Sequence, residues 1–166
     1  MSEKGKKIFL AISIIVPFMA YCIYYYSMMI KNAPYKFSEF ESLTFKYGLG
    51  DSLVNVYNSK AGTYTYLNTR DSLVTKRVKL NKDDLLYLHR KAADLGFWNF
   101  PREILPNKKN PRSLHYYLEL KYRRKSKQMF FDASYDKNQK LQGAAKILVD
   151  EVNRTINDAE SRGRKE

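Results

Sequence analysis

The chain has 166 residues, 44% of them hydrophobic, and carries 30 Lys and Arg against 17 Asp and Glu, a formal net charge of +13. Its one cysteine, Cys22, excludes an intramolecular disulfide framework, so any folded domain must rest on a packed core. The charge favours anionic partners: lipid headgroups, nucleic acid or an acidic protein.

Residues 8–30 carry no charged side chain, with Lys4, Lys6 and Lys7 before them and Lys31 after. A bilayer core of roughly 30 Å takes about 20 helical residues, so this run is long enough to span one. Ile8, Phe9, Leu10, Ile12, Ile14, Ile15, Val16, Phe18 and Met19 leave it no polar face, unlike an amphipathic core helix. A cleaved signal peptide needs small residues at its cleavage site, and tyrosines stand there in Ala20-Tyr21-Cys22 and Tyr25-Tyr26-Ser27. Tyr21 also differs from the small residue that precedes a lipoprotein cysteine. The run therefore reads as an uncleaved transmembrane signal anchor. Tyr21, Tyr24, Tyr25 and Tyr26 form an aromatic belt at its C-terminal end, and Pro17 is tolerable in lipid with a local kink. The lysines before it favour residues 1–7 in the cytoplasm and the rest outside.

Residues 31–39, with Pro34, read as a linker, residues 40–160 as one domain and residues 161–166 as a disordered tail. The first 31 residues hold four lysines and Glu3, which leaves about +10 on the remainder. Period-two alternation of β-branched and aromatic residues predicts strands over 43–47, 53–57, 63–67 and 73–79, broken by Gly48-Leu49-Gly50-Asp51, by Asn58 to Gly62 and by Asn68 to Ser72. The period then changes. Asn81 is placed as an N-cap, Asp83 and Asp84 suit the first turn of a helix, and Leu85, Leu88, Ala92 and Leu95 recur at helical spacing until Gly96. An aromatic connection, Phe97-Trp98-Asn99-Phe100-Pro101, leads into a polar loop over 102–112. Residues 114–122 and 128–133 predict a hairpin around Arg123-Arg124-Lys125-Ser126. A last helix over 138–159 presents Leu141, Ala144, Ala145, Leu148, Val149, Val152 and Ile156 on one face. The order β-β-β-β-α-β-β-α predicts an α+β domain: an antiparallel sheet of about six strands with two helices packed on one face.

This order resembles small uncharacterised α+β domains of membrane- or lipid-anchored bacterial envelope proteins. Leu43-Thr44-Phe45, the Gly-Thr-Tyr-Thr-Tyr of residues 62–66, the helix opening Lys79-Leu80-Asn81-Lys82-Asp83-Asp84-Leu85 and the exit Gly96-Phe97-Trp98 carry the likeness, together with the final hairpin and helix. Where such domains have a cysteine pair near the first turn, this chain has Gly48 and Gly50. The resemblance implies an envelope location and brings no assigned chemistry.

No metal, cofactor or catalytic signature stands out. His89 and His115 lack neighbouring ligands at metal spacing and read as packing or surface residues. Gly48-Leu49-Gly50 lacks the third glycine and the helix of a dinucleotide loop, and capping explains Asp83 and Asp84. The basic residues are more informative. Lys121, Arg123, Arg124, Lys125 and Lys127 gather at the hairpin tip, and Lys108, Lys109 and Arg112 lie on the preceding loop. They read either as a solvated turn that blunts a sheet edge or as a surface for an anionic partner. Trp98, Phe100 and Tyr122 are candidate interface aromatics, with core packing as the other reading. The sequence thus predicts a single-pass anchored, non-enzymatic interaction protein, an accessory subunit of an envelope assembly. The alternative is nucleic-acid or anionic-lipid binding through the basic hairpin, and a weaker one is an envelope enzyme without a visible motif.

Overall fold

A computed structural model describes residues 3–31, 35–108 and 110–164. The chain divides into two compact units, one ending at Tyr35 and the other running from Lys36. In the first, α1 (Glu3–Lys31) is a single helix. Its stretch Lys4–Tyr26 has a mean hydropathy of 2.1 and no buried apolar window, and it is the one helix among the described residues long and apolar enough to cross a membrane. Pro17 offers no N–H to the carbonyl four residues back, yet the helix continues through it. Ser13 Oγ donates to the Phe9 carbonyl at 2.9 Å, so this hydroxyl is satisfied within the helix itself. One turn apart, the Tyr21 and Tyr25 rings stack with centroids at 6.2 Å.

The second unit opens with a 3₁₀ turn (Phe37–Glu39), which occupies part of the expected linker; residues 32–34 lie outside the described residues. There follow β1 (Phe40–Leu49), β2 (Asn55–Asn58), β3 (Thr63–Leu67), β4 (Leu73–Arg77), α2 (Lys82–Asp94), β5 (Glu103–Ile104), β6 (Leu114–Tyr122), β7 (Ser126–Asp132) and α3 (Gln139–Gly163). The strands form one sheet in the order β4-β3-β2-β1-β6-β7-β5. The class is α+β, as the element order predicts. The sheet, however, has seven strands and is mixed, where about six antiparallel strands are expected. The difference is β5, which lies in the segment read as a polar loop and pairs parallel with β7 through Glu103↔Phe130 and Ile104↔Phe131. Two residues cannot show a period, so no alternation marks them. α3 continues to Gly163, past the expected start of the tail, and residues 165–166 lie outside the described residues.

One sheet face is the core. The register aligns Tyr64, Tyr57, Phe45, Leu118 and Met129 across five strands, and all five side chains are buried. Leu43, Leu120, Tyr122 and Phe131 extend that row. Leu88 and Ala92 of α2 and Leu148, Val149, Val152 and Ile156 of α3 supply the opposing buried layer. Both helices are tied to this same face: Lys76 of β4 meets Glu160 of α3 at 2.9 Å, and His89 of α2 meets the Tyr122 hydroxyl of β6 at 2.8 Å. At the start of α2 the Asn81 side chain accepts from Asp84 N while the Asp84 carboxylate accepts from Asn81 N, a capping box that satisfies two otherwise orphaned donors. Gly96 ends the helix in the left-handed region at φ 74.

Candidate functional site

The two basic groups do not form one surface. β6 runs nine residues from Leu114 to Tyr122, about 27 Å at strand rise. Arg112 precedes its first residue, and Lys108 lies on the loop between β5 and β6 at that same end. Lys121, Arg123, Arg124 and Lys125 lie at the other end; Lys109 is outside the described residues.

At the tip, Tyr122 N donates to the Lys125 carbonyl at 2.8 Å and closes the turn, while Arg123 N donates to the Glu39 carbonyl at 2.8 Å. The Arg124 guanidinium grips the Glu39 carboxylate through two nitrogens, Nε at 3.2 Å and Nη2. That hydrogen bond, with the charges of Arg124, Lys36 and Arg123, holds the Glu39 carboxyl below the usual range. Lys121 Nζ lies 3.9 Å from the Glu41 carboxylate. Four cations (Lys36, Lys121, Arg123 and Arg124) thus gather around two carboxylates, beside the point where the chain enters the second unit. Lys127 does not join them. Its position pairs with Leu120, so it points to the helix face, where its ammonium donates to the Phe100 carbonyl and burial pushes its pKa down.

The expected interface aromatics are mostly core. Phe100 is 8% and Tyr122 1% exposed, and Trp98 alone is half-buried. Trp98, Tyr122, Phe37 and Phe40 instead surround His89: its ring lies 5.6 Å from both Phe37 and Trp98 and 5.8 Å from Tyr122, and Phe40 sits edge-on to Tyr122 at 5.5 Å. Burial, helped by Arg90, lowers the His89 pKa, which keeps the ring neutral at pH 7. A shallow apolar recess of about 550 Å³ opens beside this cluster, lined by Phe37, Ser38, Phe40, Glu41, Lys82 and Leu85.

The second histidine occupies a site that spacing alone does not reveal. His115 and Asp132 face each other across β6 and β7, on the sheet face away from the helices. His115 Nε2 lies 3.0 Å from Asp132 Oδ2. Asp132 Oδ1 accepts from Ser134 N at 2.8 Å and Ser134 Oγ at 2.7 Å. Burial pushes the Asp132 carboxyl up, but hydrogen bonds from Ser113, Ser134 and His115 outweigh it and hold its pKa below 3.8. The Ser113 hydroxyl rotor also reaches the Asn110 carbonyl, 2.9 Å away. An ionised Asp132 requires the hydrogen on Nε2, which leaves Nδ1 as the other nitrogen, and Nδ1 is buried without a partner. The two serines serve the carboxylate and not the free ring nitrogen, so these groups are not wired as a nucleophile, base and acid. Among the described residues no three His, Cys, Asp or Glu side chains gather where they could hold a metal ion.

Compared with known proteins, the chain matches no protein-family model, no curated sequence and no solved structure. Fold and local geometry therefore carry the functional reading by themselves.

Proposed function

We propose that this is a single-pass membrane-anchored protein whose second unit is a non-enzymatic interaction domain, an accessory subunit of a bacterial envelope assembly. The observation that carries the reading is α1: an apolar helix without a polar face, followed after residues 32–35 by a unit with its own core. The flanking Lys4, Lys6 and Lys7 favour a cytoplasmic N-terminus and a second unit outside the inner membrane. Support for docking comes from the basic tip of Lys121, Arg123, Arg124 and Lys125, which adjoins Glu39, eight positions beyond Lys31. The test is site-specific photo-cross-linking from Arg123 or Lys125 in the full-length chain at native expression. One discrete protein adduct is expected; a ladder of unrelated adducts, or none, would reject the reading.

The second reading, binding of anionic lipid or of nucleic acid, rests on that tip alone, because Lys108 and Arg112 lie at the far end of β6. An acidic protein partner is favoured, since the Arg124–Glu39 pair already fixes one arginine and leaves a shaped, partly neutralised surface. Salt-dependent retention of DNA or RNA by the full-length chain, lost when Arg123, Arg124 and Lys125 become Glu, would favour nucleic acid instead.

A further inference from the structure

β4 is a terminal strand of the sheet: β3 pairs with one of its edges and no strand with the other. Its register with β3 fixes which backbone groups stay open. Asn68 N donates to the Ser72 carbonyl at 3.0 Å, and Val78 N donates to the Gly62 carbonyl at 2.9 Å. Both contacts continue the register in which Tyr66 faces Val74 and Tyr64 faces Lys76. Bonded and non-bonded pairs alternate along an antiparallel ladder, so those two pairs are bonded, and Leu73, Thr75 and Arg77 turn N–H and C=O away from β3. The Thr65 and Thr75 hydroxyls, 2.9 Å apart, fit the closer approach of a non-bonded pair. Among the described residues, the outward backbone groups of Leu73, Thr75 and Arg77 meet no protein partner.

This edge is accessible along its length. Leu73 is 65% exposed, and Thr75 and Arg77 are exposed with it. Proline and bulges, which blunt many natural edges, are absent from β4, so charge alone restricts what can pair there. Lys76 is engaged on the helix face by Glu160 and lies over the Tyr66 ring at 4.8 Å. Arg77 and Lys79 are exposed, and among the described residues neither pairs with a carboxylate. Directly after β4 the chain borders a recess of about 510 Å³, with Arg77, Val78, Lys79 and Asn81 on one side and Ala159 and Arg162 of α3 on the other. Asp84 already neutralises Arg162, so Arg77 and Lys79 carry the uncompensated charge of this recess.

We propose that the open edge of β4 takes up an extended acidic segment of a partner protein as an added strand, with its carboxylates beside Arg77 and Lys79. Main-chain hydrogen bonds to Leu73, Thr75 and Arg77 supply the attachment, and charge supplies the selection. A second copy of this chain fits less well. Paired antiparallel about Thr75, it would set Arg77 opposite Leu73 and bring together two domains of about +10 each. The inference rests on the second unit being an interaction domain, but it concerns a different surface from the basic tip. Four strand spacings, about 19 Å, separate β4 from β6, so cross-linking from the tip and binding at this edge succeed or fail independently.

Residue-resolved amide exchange of the full-length protein in zwitterionic micelles tests the proposal. The probe is a short capped peptide of alternating valine and glutamate, and the control has lysine in place of glutamate. The glutamate peptide should slow exchange at Leu73, Thr75 and Arg77 saturably, by about tenfold, and the lysine peptide should not. Val74 and Lys76, already bonded to β3, should change far less. Thr75→Pro removes an outward N–H and spares the ladder to β3, so it should abolish the effect without unfolding the domain. Arg77→Glu with Lys79→Glu should reverse the preference toward the lysine peptide, and this pair decides the matter if the proline variant fails to fold. No slowing, equal slowing by both peptides, or an unchanged preference in the charge-reversed variant would each overturn the proposal. So would protection of the same amides that rises with protein concentration alone, which would give the edge to a second copy.

Discussion

Gly48 sits where no other residue fits without moving backbone, because the obstruction is the Ser52 carbonyl and not a side chain that could swing away. Gly48→Ala should therefore destabilise the second unit by about 1–3 kcal/mol, read as a Tm lower by several degrees. Asp132 makes a separate prediction. Its carboxyl is held below 3.8, so its contribution to stability is fully present above that value and is lost as pH falls through the lower folded pKa. Asp132→Asn should lower stability at pH 7 and flatten the loss of stability below about pH 4, measured by denaturant titration across pH. The hairpin sequence shows part of this pair. Residues 114–122 alternate clearly, but pairing His115 with Asp132 needs the turn to be closed by Tyr122 and Lys125, and no Asn-Gly or Asp-Gly marks that register. The four basic and polar residues at the tip suit several turn lengths, and a one-residue slip would place Asp132 on the opposite face.

Capping and periodicity made α2 legible to the residue: Asn81, Asp84 and Gly96 all do what their chemistry suggests. Asn81→Ala should cost about 1 kcal/mol and Asn81→Ser only a few tenths, measured by thermal unfolding of the paired variants. β5 is the opposite case. Pro101 and Pro106 bracket it, and its two residues carry no pattern, yet Ile104 is 1% exposed and closes the sheet edge beside β7. Ile104→Ala should cost about 2–5 kcal/mol, as large as a loss from the centre of the core; a cost within 0.5 kcal/mol would mean that β5 is not packed as described. The aromatic connection after α2 was ambiguous for a related reason. Trp98 and Phe100 alternate in sequence, but a 3₁₀ turn at Phe97–Asn99 breaks the strand-like alternation and buries Phe97 and Phe100 together.

At the scale of the whole molecule, charge and connection act together. The cations at the hairpin tip attract anionic surfaces by about 1 kcal/mol each near a membrane, and salt screens that attraction over roughly 8 Å at physiological ionic strength. For the full-length chain in nanodiscs, tryptic cleavage after Arg123, Arg124 and Lys125 should be several-fold slower in anionic than in zwitterionic lipid, and the difference should vanish at high salt. Equal rates in both lipids would remove lipid contact from the role of the tip. The α+β class, both long helices of the second unit and most strands were readable from period and caps alone. The division of the basic residues was not, because linear proximity hides the length of β6 that separates Arg112 from Arg123. Everything proposed for the tip depends on α1 remaining in a bilayer. The most direct measurement is alkaline carbonate extraction of membranes from cells expressing the untagged chain, followed by intact-mass determination of the extracted protein. The expected result is a chain that stays in the membrane pellet with residues 8–30 intact; release into the supernatant, or a mass showing cleavage near Cys22 or Ser27, would contradict the anchor.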